Sequence, residues 1–193
     1  MTDNIKIIYP RIDQNLTVEE LNINYLFSSQ ELEFIMQHAN MTASAVGLAL
    51  LLIMVQKLKY FVLIKDCPRL LIEHVAKAIG FTEIRLEVYR YDASGARWRH
   101  INILREYLGI TEPSLQDINN ITKKISKTKN AVEDIINATI EELIARKLEL
   151  PNINVLEKSA NKSLKIVNAS YYKQIFTVLG LKFVRFVKKN FSL

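Results

Sequence analysis

Apolar residues recur at helical spacing along most of the chain, and the breaks between runs carry capping residues, so the pattern predicts a succession of helices. Leu16-Thr17-Val18-Glu19-Glu20-Leu21 opens a short one, in which Thr17 caps and Glu20 closes a capping box. Ser28 or Ser29 repeats that arrangement ahead of Gln30 to His38, with Leu32, Ile35 and Met36 on the buried face. Ala45 to Val55 is uninterrupted by any polar residue and predicts a central buried helix from about Thr42 to Leu58. Gln56, Lys57 and Lys59 close the run well short of the ~20 residues needed to span a bilayer. After the β-branched and aromatic segment Tyr60 to Ile64, Asp66-Cys67-Pro68 breaks helix, and Arg69 to Ile79 resumes it up to Gly80. Glu83 to Tyr91 is ambiguous, because IRLEVYRY alternates apolar and charged residues as a strand or extended connector does.

The second half continues in the same way. Ser94 to Ile110, SGARWRHINILREYLGI, predicts a helix capped by Ser94 and ended by a left-handed Gly109, with Ile101, Leu104 and Leu108 on one face. Its basic start, Arg97, Arg99 and His100, sits where unpaired N–H groups already disfavour cations, so the site calls for an anion. The alternative is a solvated basic turn with Trp98 packed on the core. A helix over Ser114 to Ser126 leads into a lysine-rich joint of Lys123, Lys124, Lys127 and Lys129, which reads as a phosphate contact or as a merely solvated face. Ala131 to Leu148 forms a long helix, Glu149-Leu150-Pro151-Asn152 turns, and a further helix begins near Asn154. On that helix Leu156, Ala160, Leu164 and Val167 share a sector of about 80°, with Lys158, Lys162 and Lys165 opposite. Such a division suits a recognition helix as well as a surface helix made soluble by lysine. The remainder, Tyr171 to Leu193, is aromatic and basic. It fits a membrane-surface helix, or one whose packing partner lies outside this chain.

Composition narrows the class. With 193 residues, 49% of them apolar, and only five glycines and four prolines, the chain reads as globular and all-α. The net charge of +6 is uneven: residues 1–66 hold five Lys/Arg against seven Asp/Glu, whereas residues 67–193 hold twenty-one against thirteen. A partial basic excess points to a polyanionic partner, nucleic acid before an anionic membrane. Cys67 stands alone, which rules out an intramolecular disulfide and fits a reducing cytoplasm. The first residues, MTDNIKIIYPRID, do not resemble a signal peptide, and a cytoplasmic location is expected.

Signatures of catalysis do not emerge. His38, His74 and His100 stand in no metal-ligand spacing, and neither a phosphate-cradling glycine loop nor a serine nucleophile elbow occurs. Glu141 and Glu142 lie where they can pair with Arg146. No cofactor, metal or small-molecule substrate is expected.

From Thr17 to Tyr172, the order of LTVEELNINYLFSSQELEFI, AVGLALLLIMVQKLKYF, CPRLLIEHVAKAIGF, RWRHINILREYLGI and IEELIARKLELPNINVLEKSANKS resembles the N-terminal region of the Tn-three family of bacterial replicative transposases, the TnpA type. The resemblance implies two helix-turn-helix-like modules that bind the terminal inverted repeats of a transposon, with the acidic catalytic residues in a later domain. It matches Arg97, Arg99, His100 and Arg105 to an Arg-rich turn and helix, and Arg146-Lys147 to the basic pair before a Leu-Pro turn. Asn154, Lys158 and Lys162 fall on the helix after that turn. Ala45 departs from the family's arginine, and Lys59-Tyr60-Phe61 only loosely resembles its Gly-Arg-Phe.

The sequence therefore predicts an all-α protein with a helical module over 1–93, a second DNA-binding module over 94–168, and a basic aromatic tail over 169–193. The expected partner is double-stranded DNA carrying inverted repeats, bound without catalysis, with a homodimer arising in the parent transposase. The DNA contacts are expected from Arg97, Arg99, His100, Lys123, Lys124, Lys127, Arg146, Lys147, Asn154, Lys158, Lys162 and Lys165. A truncated transposase acting as a regulator, or a membrane-surface or protein-interaction module built on the tail, are the competing expectations.

Overall fold

A computed structural model describes the backbone of residues 7–39, 42–82 and 87–191, and among these residues it is all-α. The chain forms two compact units, one of residues 10–112 with 147–150, the other of 1–9, 113–146 and 151–193. The division falls after Glu112, whereas the sequence places it after Ala93, ahead of the helix that opens near Arg97. The helix beginning at Gly95 belongs with the first unit because it buries Ile101 and Leu104 in that unit's core.

In the first unit, α1 (Val18–Asn24) and α2 (Ser29–His38) each begin with a complete capping box, Thr17 with Glu20 and Ser28 with Glu31. They precede α3 (Thr42–Leu58), whose residues from Ala45 to Val55 are all buried. This helix shows no amphipathic side because α2, α4 (Arg69–Ala78), α5 (Glu87–Arg90) and α6 (Gly95–Leu108) pack around it. The segment left ambiguous by its alternation is helical over Glu87 to Tyr91, which forms α5 and the start of a 3-10 turn over Tyr91–Ala93. Val88 and Tyr91, three residues apart, both bury their side chains in the core, which helical geometry permits and strand alternation does not. The rest of that segment, residues 83–86, lies outside the described residues.

Gly47 lets this packing occur: a Cβ there would stand 2.6 Å from the Tyr91 ring. Cys67 is buried and its thiol is pushed up to about 12 by desolvation, so it acts as a small apolar group. Gly109 ends α6 at φ 63°, as its position predicts. Past it, Thr111 N–H donates to Lys147 O and Glu149 N–H to Thr111 O, while Leu150 N–H donates to Lys59 O.

The second unit packs α7 (Leu115–Ile125), α8 (Val132–Ala145) and α9 (Ile153–Phe191) pairwise against one another. Seven residues join α8 to α9, more than the three or four of a tight helix-turn-helix. The expected separation of a tail at 169 is not seen: α9 runs unbroken for 39 residues, about 58 Å at 1.5 Å per residue. Its backbone has no reason to stop there, since the sequence after Pro151 contains no proline and its one glycine is Gly180.

Candidate nucleic-acid interface

The basic start of α6 is placed inside the protein. Arg97 is 6% exposed and His100 4%, so neither reaches a duplex, which corrects their assignment as DNA contacts. The anion that the helix start calls for is internal: the Asp92 carboxylate, 3.5 Å from Arg97 Nε, which also accepts Ile64 N–H and Lys65 N–H. Arg97 Nη2 donates to Val62 O at 2.8 Å. The Tyr91 hydroxyl lies 2.7 Å from His100 Nδ1, and burial lowers the His100 pKa against a hydrogen bond to the His38 backbone that raises it, with the nearby Arg99 charge lowering it further. Asp92 lies five residues from Arg97 and is brought near by the turn at Tyr91–Ala93, a signal that periodicity alone does not carry.

The neighbouring residues fare differently. Arg99 is exposed, and Trp98 is 69% exposed, so it is not packed on the core. Arg105 is half-buried and engaged by two carboxylates, Glu149 at its Nε and Glu112 at 2.7 Å from Nη2. Lys147 points outward, yet its backbone has φ 56° and its carbonyl receives Thr111 N–H, so this position terminates α8.

Charge also divides between the two units. The first holds twelve Lys/Arg against thirteen Asp/Glu, and the second fourteen against seven. Within the second unit, residues 113–146 balance at five each, while 151–193 carry eight against one, Glu157. The basic excess therefore resides on α9.

The cations of the second unit do not form one patch. Lys124, Lys127 and Arg146 line a groove of about 650 Å3 between α7 and α8 that also contains Glu141 and Glu142. Glu142 is paired with Arg146 at 2.5 Å, which holds its carboxyl below the ordinary range and disfavours phosphate there. Lys123 and Lys127 line a smaller groove of about 370 Å3 with Ile166 and Tyr171, free of acids. Their position in and just after the last turn of α7 also suits the negative end of that helix.

Lys158, Lys162 and Lys165 are all exposed and lie within a sector of about 60° on the outer face of α9. Asn154, at the start of α9, shares that face. The first turn contains no acid, and the Asn152 carboxamide accepts Asn154 N–H at 2.9 Å. The rotation of α9 is fixed from behind. Leu156, Ala160 and Val167 bury in the core of the unit, the Ser163 hydroxyl lies 2.8 Å from that of Thr122 on α7, and Ser159 donates to Asn119 Oδ1. This polar seam escaped the sequence reading, because serine and threonine at helical spacing look the same on a buried and an exposed face. The exposed Asn161 and Asn168 were also missed, although both repeat the position of Asn154 at seven-residue intervals.

Among the described residues no group of three His, Cys, Asp or Glu side chains could hold a metal ion, and no helix is long and apolar enough to cross a membrane. Comparison with known proteins places the chain in a family: the family described as "Domain of unknown function (DUF4158)" matches residues 2–162, and the chain belongs to it. The matched span includes the whole first unit, α7, α8 and the beginning of α9 as far as Lys162. No curated protein matches the chain.

Proposed function

We propose that this member of the DUF4158 family binds double-stranded DNA through the outer face of α9, as the end-recognising, non-catalytic N-terminal part of a Tn-three-type transposase working in the cytoplasm. The observation that carries the reading is the face itself: three exposed lysines with an exposed asparagine, no acid beyond Glu157, and a rotation held by buried hydrogen bonds. Lys158, Lys162 and Lys165 supply phosphate contacts and affinity, and Asn154 at the helix start reaches a base edge. Lys123 and Lys127 add positive potential from the end of α7. The Tn-three resemblance of the sequence supports inverted-repeat ends as the natural target.

The test is a salt-titrated anisotropy measurement on duplex DNA. Three phosphate contacts contribute about 2.7 to the slope of log affinity against log salt. Replacing Lys158, Lys162 and Lys165 with alanine should lower the slope by about that amount, whereas Arg99→Ala should leave it unchanged. Absence of duplex binding at low salt, or an unaltered slope in the triple variant, refutes the reading.

A second reading has an observation of its own. Tyr171, Tyr172, Ile175, Phe176, Val178 and Leu179 are all exposed along α9, as suits a protein-interaction or membrane-surface helix. Vesicle flotation with and without residues 171–193 separates it from the first.

A further inference from the structure

Three asparagines, Asn154, Asn161 and Asn168, stand seven residues apart on α9, and all three are exposed. At 100° per residue they drift by only about 20° per step, so they form one line along the helix, with Lys158, Lys162 and Lys165 along one edge of it and Glu157 along the other. The buried bonds of Ser159 to Asn119 and Ser163 to Thr122 lie on the opposite side of the same helix turns and hold this line outward. Asparagine is the side chain whose amide pairs bidentately with adenine, its oxygen accepting from N6 and its nitrogen donating to N7 in the major groove. The only described bond of the three amides within this stretch is local, from Asn161 Nδ2 to Glu157 O at 2.9 Å, and it leaves the carbonyl oxygen available.

We propose that Asn161 and Asn168 join Asn154 as a line of base-reading amides that selects adenines about three base pairs apart. The inference rests on the DNA-binding reading above and extends it to sequence choice. The spacing follows from geometry, because seven residues advance about 10.5 Å along a helix and successive base pairs advance about 3.4 Å. A straight helix touches the floor of a curving groove most deeply at the middle of the contact. Asn161, with Lys158 before it and Lys162 after it along the axis, is that middle and makes the largest contribution.

The experiment selects duplexes from a pool with a random 25-base-pair core, using the full chain and its Asn161→Ala and Asn168→Ala variants. The wild type should enrich adenines at intervals of about three base pairs. Asn161→Ala should lose preference at one of them by about tenfold while binding the unselected pool within about twofold of wild type. Substituting 7-deazaadenine at that position removes the N7 acceptor, and should weaken the wild type by a similar factor without weakening Asn161→Ala further. The wild-type half of that arm does not depend on how well a variant folds. Enrichment of the same motif by both variants, or equal sensitivity of wild type and Asn161→Ala to the deaza base, overturns the asparagine line. Binding of the pool with no motif enriched overturns it too but leaves phosphate binding standing, whereas no binding of the pool at low salt defeats the DNA reading itself.

Discussion

Replacing Gly47 with alanine should destabilise the first unit, although the same change in an ordinary helix interior is favourable. The propensity gain is about 0.8–1.0 kcal/mol. Against it stands the Tyr91 ring, whose Cδ1 and Cε1 would lie 2.6 Å from the new Cβ and Cδ2 2.7 Å. Ordinary carbon contacts lie at about 3.5–4.0 Å, so roughly 1 Å must be opened. The ring cannot swing into solvent, because it is 3% exposed and its hydroxyl is held by His100. Overpacking costs about 1–3 kcal/mol, and loss of the Tyr91–His100 bond about 1 more, giving a net loss of about 1–3 kcal/mol. Urea denaturation followed by circular dichroism and by Trp98, the only tryptophan and a residue of this unit, should show the midpoint falling by about 1 M. Gly95→Ala, where an added Cβ meets nothing within 4 Å, is the control and should change little. In a Tyr91→Ala background the sign should reverse, with Gly47→Ala stabilising. An increased midpoint for Gly47→Ala in the otherwise natural chain refutes the packing argument.

Arg97→Ala should cost about 3 kcal/mol by leaving Asp92 without its cation and Val62 O without its donor, yet leave the salt slope of DNA binding unchanged at temperatures where the variant is folded. A reduced slope would return Arg97 to the interface. Because burial lowers the His100 pKa below 6.5, the folded state binds fewer protons there than the unfolded chain, so this contribution is complete above pH 6.5 and is lost as pH falls beneath it. Wild type should lose urea stability between pH 7.5 and 5.5, and His100→Gln should lose less; equal losses refute the assignment. Lys147→Gly should raise the midpoint by relieving a left-handed backbone at φ 56°, worth about 1 kcal/mol, with no change in salt slope. A fall in slope of about 0.9 would instead make its ammonium a phosphate contact.

The sequence by itself determined the elements whose causes are local. Both N-terminal capping boxes, the bounds of α3, the end of α6 at Gly109 and the lysine face of α9 arise from residues within one or two helical turns, which is the range that periodicity and capping report. Where partners are distant, tertiary structure decided. Arg97 meets Val62 O across 35 residues, Arg105 meets Glu149 across 44, and Thr122 meets Ser163 across 41. No local spacing distinguishes such a buried cation from a solvated one: Arg97 and Arg99 are two residues apart on the same basic turn, and one is enclosed while the other is exposed. The reason is the helical rotation of about 200° between them, which acquires meaning only once α6 has a side that rests on α3. In the same way, the chain fixed how many cations it carries, but the packing of α7, α8 and α9 decided which of them share a face free of acids.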